Sequence, residues 1–153
     1  MLLVLDADGN EESVIAAADA DIGGASWSPD GKLLAYFVYR GNNSELVVSA
    51  PDGTDRHLVA SGDDLYPYRW SPDGSMFAYE SRFPSVLVVC AGDGADCRTI
   101  AELENPFDLA WSPDGSVLAY IDAHRAWAIP VSGGDAWPLT PSDEWVASLD
   151  WAA

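Results

Sequence analysis

Acid groups dominate the chemistry this chain offers. It holds 25 Asp and Glu against seven Lys and Arg, with two His and two Cys, for a formal net charge of −18. Carboxylates stand in pairs at Asp63-Asp64 and Asp143-Glu144. Such pairs can ligate a cation, but solvated loop charge accounts for them equally. Asp6-Ala7-Asp8-Gly9-Asn10 has the opening of a calcium loop, in which alternate oxygens face a hard cation. The same stretch aligns with Pro51-Asp52-Gly53-Thr54 and Gly92-Asp93-Gly94-Ala95, so turn chemistry explains it without a metal. His57 and His124 lie in different repeats, at different repeat positions. The sequence contains no G-x-S-x-G elbow, phosphate-cradling glycine loop or His-x-x-x-His pair. The expectation is a non-enzyme without cofactor or metal.

Cys90 and Cys97 flank Asp93-Gly94. If those two residues are a hairpin loop, 92 pairs with 95, 91 with 96, and 90 with 97. A disulfide is then expected in an exported protein, closing an eight-residue loop worth roughly 2.5 kcal/mol in the chain-entropy model. That register makes the cysteines a hydrogen-bonded pair, the wider of the two cross-strand kinds.

The charge also excludes partners. Only one of the seven basic residues is a lysine, Lys32. An acidic surface repels phosphate, so neither nucleic acid nor an anionic membrane is an expected partner. A cationic partner or a salty medium suits it better. No apolar run is long enough to span a bilayer, and Leu2 to Leu5 is too short for a signal-peptide core.

These groups must be positioned by something, and the chain spells it out three times. The pentapeptides are Trp27-Ser28-Pro29-Asp30-Gly31, Trp70-Ser71-Pro72-Asp73-Gly74 and Trp111-Ser112-Pro113-Asp114-Gly115, with Trp151 where a fourth would begin. The four tryptophans are 43, 41 and 40 residues apart, a period that marks a repeat architecture. Proline presets φ for a tight turn, and Asp and Gly tolerate the next positions of that turn. Each pentapeptide therefore reads as a strand end and a hairpin turn. Eight residues after each Trp stands the alanine of Leu34-Ala35-Tyr36, Phe77-Ala78-Tyr79 and Leu118-Ala119-Tyr120. All four Trp are expected to be buried between repeats, each covering ~150–250 Å², or roughly 4–6 kcal/mol before entropy.

A second hairpin follows in each repeat. Leu46-Val47-Val48, Leu87-Val88-Val89 and Ala126-Trp127-Ala128-Ile129 lead to Asp52-Gly53, Asp93-Gly94 and Gly133-Gly134. Leu2 to Leu5 before Asp8-Gly9 is the same feature. Seven Trp, six Tyr and four Phe favour strands. Glu12 to Asp21 reads as coil. The reading is an all-β array: a partial blade at 1–24, full four-stranded blades at 25–67, 68–108 and 109–148, and one first strand at 149–153.

Four short strands per ~40 residues, with W-S-P-D-G closing the first hairpin and D-G the second, resemble the TolB-like β-propeller repeat. Trp151-Ala152-Ala153 and Gly133-Gly134 depart from the pattern. The resemblance implies an all-β propeller of four-stranded antiparallel blades, about four blades' worth, as an incomplete or open ring. It implies a non-catalytic module that binds a protein or peptide in a periplasmic or extracellular setting. Propellers of this kind also gate serine peptidases whose hydrolase domain is absent here, or act as sensor domains. Self-association through open propeller edges is a further expectation.

The partner site is placed by length. The stretch between second and third strands is the most variable, and function favours variable loops on a rigid scaffold. Those loops each carry one arginine: Arg40, Arg82 and Arg125. Blade-linking loops on the same face add Tyr66, Tyr68, Phe107 and Trp145. Arginine and large aromatics anchor interfaces, and the arginines are expected to read acidic groups.

Overall fold

The computed structural model describes residues 1–15, 19–62, 65 and 68–151. Its strands are β1 (Leu2–Leu5), β2 (Glu11–Ile15), β3 (Asp21–Trp27), β4 (Leu34–Arg40), β5 (Asn43–Ser49), β6 (His57–Gly62) and β7 (Arg69–Trp70). They continue with β8 (Met76–Arg82), β9 (Ser85–Ala91), β10 (Arg98–Glu102), β11 (Pro106–Trp111), β12 (Val117–Asp122), β13 (Arg125–Pro130) and β14 (Trp137–Pro138). They form an antiparallel pair, β1-β2, and three four-stranded antiparallel sheets in chain order: β3 to β6, β7 to β10, and β11 to β14.

The middle strands are mostly apolar at their centres because both faces are covered. In β4, Leu34, Tyr36 and Val38 pack toward the first pair with Val4 and Ile15. Ala35 and Phe37 face the next sheet, against Tyr68, Phe77 and Tyr79. In β8, Ala78 faces onward to Leu109, Trp111, Leu118 and Tyr120. Period-two alternation thus sorts each strand between two cores.

The pentapeptide satisfies its own polar groups. Ser28 N–H donates to Leu33 O and Gly31 N–H to Ser28 O, both at 2.9 Å. The Ser28 hydroxyl donates to Asp30 Oδ1 at 2.8 Å and accepts from Leu33 N–H at 3.0 Å. Ser71 with Asp73, and Ser112 with Asp114, repeat the arrangement at 2.7 Å. All three serines are buried.

The tryptophans link sheet to sheet. Trp111 Nε1–H donates to Arg69 O at 2.9 Å and Trp151 Nε1–H to Ala110 O at 3.1 Å. Trp70 Nε1–H donates to Ser26 Oγ at 3.1 Å. Each acceptor lies directly before the preceding tryptophan. Burial is less uniform than expected: Trp111 is 8% exposed but Trp27 is 44% exposed. Only the two-stranded pair precedes Trp27, and a cleft beside it is lined by Leu3, Leu5, Ala25 and Leu34.

Several boundaries differ from the sequence reading. The first strands begin earlier, at Asp21 and Pro106, because a bulge in each extends the ladder. Glu11–Ile15 is a strand paired with β1 rather than coil. Leu149 to Trp151 joins no ladder, so the expected first strand there is replaced by an indole contact.

The second-hairpin turns are also longer than two residues. Gly94 N–H donates to Ala91 O and Ala91 N–H to Ala95 O, so the loop is 92–94 with Gly94 left-handed at φ 88°. Asp96, at φ 51°, is a further residue out of register. It restores Cys90 opposite Cys97, as the pairing of Val89 with Arg98 requires. The sulfurs are bonded and the Cα atoms are 4.0 Å apart. That is the close kind of cross-strand pair, not the wide one expected.

Candidate functional site

The stretches read as variable loops are tight turns. Arg40 pairs with Asn43, Arg82 with Ser85, and Asp122 with Arg125, leaving two residues at each tip. Gly41 takes φ 62°, Ala123 and His124 take 48° and 65°, and Phe83-Pro84 is a cis bond. What varies is hairpin length. The second strands run five, four and three residues past Ala35, Ala78 and Ala119. The tips therefore stand at different heights, at about 3.4 Å per residue.

The links between sheets cross beside these tips. Leu65 bridges to Ser81. Leu103 N–H donates to Ser85 O at 2.9 Å, and Ala123 N–H to Asn105 O at 3.3 Å. The Asp122 carboxylate accepts from Glu104 N–H at 2.9 Å and Asn105 N–H at 2.6 Å. Val146 N–H donates to His124 O at 3.0 Å. Tips and links thus form one hydrogen-bonded rim across sheets two and three.

The arginines have partners within the chain. Arg40 Nε is 3.7 Å from Glu45, which also takes Arg56 at 3.2 Å. Arg125 lies 4.6 Å over the Trp127 ring and donates to Thr140 O at 3.1 Å. Arg82 ends β8 and is half-buried. Tyr68 is a core residue: its ring packs on Phe37 and Phe77, and its hydroxyl meets the carbonyls of Gly24 and Ala35. It is unavailable to a partner because its ring is buried between sheets one and two and its hydroxyl is engaged. Tyr66, with Asp63 and Asp64, lies outside the described residues. Phe107 and Trp145 are 59% and 76% exposed, and Trp145 stacks on His124 with centroids 4.3 Å apart.

Two residues of this region escaped the sequence reading. Phe83, at the middle tip, is 75% exposed. Glu80 is buried on the face that sheet two turns toward sheet three, and its Oε1 has no hydrogen-bond partner among the described residues. Burial, reinforced by Asp108 and Asp122, pushes its carboxyl up to about 8, while Arg69 opposes the shift. A signal existed for it: Glu80 stands where the other repeats have Phe37 and Ile121.

On the inner strands, Arg69 reaches Asp108 at 3.6 Å. A cleft of about 420 Å³ lies there between Arg69, Trp111 and Leu149. At the opposite end, Asp6 Oδ1 accepts from the Asp8 and Asn10 amides at 2.9 and 2.8 Å, so this carboxylate is engaged in its turn. His57 begins β6 of sheet one and His124 caps sheet three, so the two histidines stand on different sheets.

Three consecutive four-stranded antiparallel sheets, packed face to face in chain order, are propeller blades. No protein-family model matches the chain. Over 60 residues it is 42% identical to the Tol-Pal system protein TolB of Thioalkalivibrio sulfidiphilus, a match covering 39% of this chain and 14% of that protein. The putative TolB structure from Agrobacterium tumefaciens superposes with TM-score 0.65 at 19% identity, covering 87% of this chain and 50% of that one. An acylaminoacyl peptidase from Pyrococcus horikoshii superposes with TM-score 0.63 at 15% identity, covering 81% and 25%. The chain has a β-propeller fold and is similar to TolB, and it spans a small part of the length of the curated relative it matches.

Proposed function

We propose that this segment is a non-catalytic protein-binding module and that its partner sits on the rim of tips and links. The observation that carries the reading is the row of exposed rings, Phe83, Phe107 and Trp145, on segments tied together by backbone hydrogen bonds. Large aromatics left in water on a rigid scaffold are the residue type that anchors interfaces. The likeness to a Tol-Pal system protein supports a role in protein assembly. The Cys90–Cys97 bond suits an oxidising compartment, periplasmic or extracellular. Arg40 and Arg125, bound within the chain, brace the tips in this reading.

The test is site-specific photocrosslinking in the native cells. A photoreactive residue at Phe83 or Phe107 is expected to give a protein adduct. The same residue at Lys32, in a first-hairpin turn at the other end of the blades, is expected to give none. Equal adducts from both ends, or none from the tips, would refute the placement. The likeness to a peptidase propeller favours one rival, a substrate-gating role beside a hydrolase domain. A G-x-S-x-G elbow with trailing Asp and His in the adjoining coding sequence would decide for it.

A further inference from the structure

Resting on that reading, we infer that the rim takes a basic, extended segment of its partner, with cationic side chains seated over Phe83, Phe107 and Trp145. Two features meet on the rim. The first is aromatic exposure: the three rings are 75%, 59% and 76% exposed. Trp145 rests one face on His124 and is otherwise open to solvent. The second is the charge between the rings. Glu102 ends β10 and Glu104 lies on the link from sheet two to sheet three, and Asp143 and Glu144 directly precede Trp145. All four are exposed.

The link is not free to move its carboxylates away. Asp122 holds the backbone N–H groups of Glu104 and Asn105, and Leu103 N–H is held by Ser85 O. The cations of this region are Arg82 and Arg125, and Arg125 is turned onto Trp127 and Thr140 O. Carboxylates outnumber them, in a chain of net charge −18. A cation over an aromatic face is attracted by the ring quadrupole, and adjoining carboxylates add to that attraction. The whole-chain field steers the same partner inward. An acidic partner would meet like charge on both of these links. The spread of rings over a tip, the start of β11 and a link fits an extended segment better than a single side chain.

The probe is a synthetic twelve-residue peptide of alternating arginine and serine, with a glutamate–serine peptide as its counterpart. Binding to the full chain is read by fluorescence anisotropy at low and physiological salt. The arginine peptide is expected to bind, more tightly at low salt, and the glutamate peptide not to bind. The triple variant Phe83→Ala, Phe107→Ala, Trp145→Ala is expected to lose at least tenfold in affinity with its thermal midpoint unchanged. A charge control, Glu11→Gln with Glu12→Gln on β2, is expected to stay within twofold. Full binding by the aromatic variant, an equal loss in the charge control, or no binding of the arginine peptide overturns the inference. Tip crosslinks without this peptide preference would sink the partner class and leave the protein-binding reading standing. Failure of both experiments would sink both.

Discussion

Replacing Glu80 with glutamine should stabilise the protein at neutral pH, and by an amount that grows with pH. The carboxyl lies between sheets two and three with Oε1 unpartnered among the described residues, so its charged form loses hydration that Arg69 offsets only in part. In the fold it titrates at about 8, against 4.5 for the free side chain. A raised carboxyl contributes its full stability below 4.5, and that stability is lost as pH rises through 8. One pH unit is worth about 1.36 kcal/mol, so the native protein forfeits about 3 kcal/mol by pH 7 and about 4 kcal/mol by pH 8. Glutamine keeps the shape and removes the titration. The assay is thermal melting of both proteins from pH 4 to pH 9. Carboxylates remote from Glu80 cancel in the difference. Near pH 4 the midpoints should nearly coincide. At pH 7 the variant should melt roughly 6–12 °C higher, at about 2–4 °C per kcal/mol for a chain of this size. A difference that does not change between pH 4 and pH 8 would refute the argument.

Four further outcomes are expected from the geometry. Trp111→Phe, which removes the indole bond to Arg69 O from a buried position, should cost about 1–2 kcal/mol, whereas Trp27→Phe at the exposed position should stay within about 0.5 kcal/mol in urea melts. Asp30 and Asp114 are held down to about 2, Asp30 chiefly by Lys32 and Asp114 by the Ser116 amide, so their carboxylate carbons should titrate near 2 by NMR, and their turn support, full above the ordinary 3.8, should fade as pH falls from there to about 2. Intact mass after alkylation without reductant should show no added label on Cys90 or Cys97, and replacing both by serine should cost roughly 2.5 kcal/mol. Gly92→Ala should destabilise by about 2 kcal/mol or more, as overpacking against backbone does; a Cβ there would lie 2.5 Å from Gly74 O, and circular dichroism melts would report the loss.

The blades were legible because their signals are local. Ser-Pro-Asp-Gly closes its own turn through its own side chains, so Ser28 with Asp30 needs nothing distant to be recognised. The apolar runs at Leu34, Phe77 and Leu118 announce strands covered on both faces. The tips were harder. The distances from Ala35 to Val48, Ala78 to Val89 and Ala119 to Ala128 are 13, 11 and 9 residues, falling in steps of two. That is the mark of a hairpin changing length, since each added pair takes one residue from each strand, and it was readable as such. Tyr68 could not be placed, because its burial depends on the approach of Phe37 and of the Gly24 carbonyl from another sheet. The partners of Arg40 and Arg125 come from Glu45 and Thr140, whose approach is set by cross-strand register. The length of the second-hairpin loops was missed because Asp55 and Asp96 take a left-handed φ that a dipeptide signal does not show.

The staggered hairpins carry a lesson for anyone who would use this protein as a display frame. A foreign sequence grafted at Gly41-Asn42, Phe83-Pro84 or Ala123-His124 enters a two-residue turn whose flanking strands count in pairs. Inserts of even length, split equally between the two strands, lift the graft away from the core by about 3.4 Å for each pair and leave every inward side chain where it was. An odd insert taken up within one strand would turn the residues beyond it to the opposite face of the sheet. Parity, more than loop length, is the rule a library built on this frame must obey.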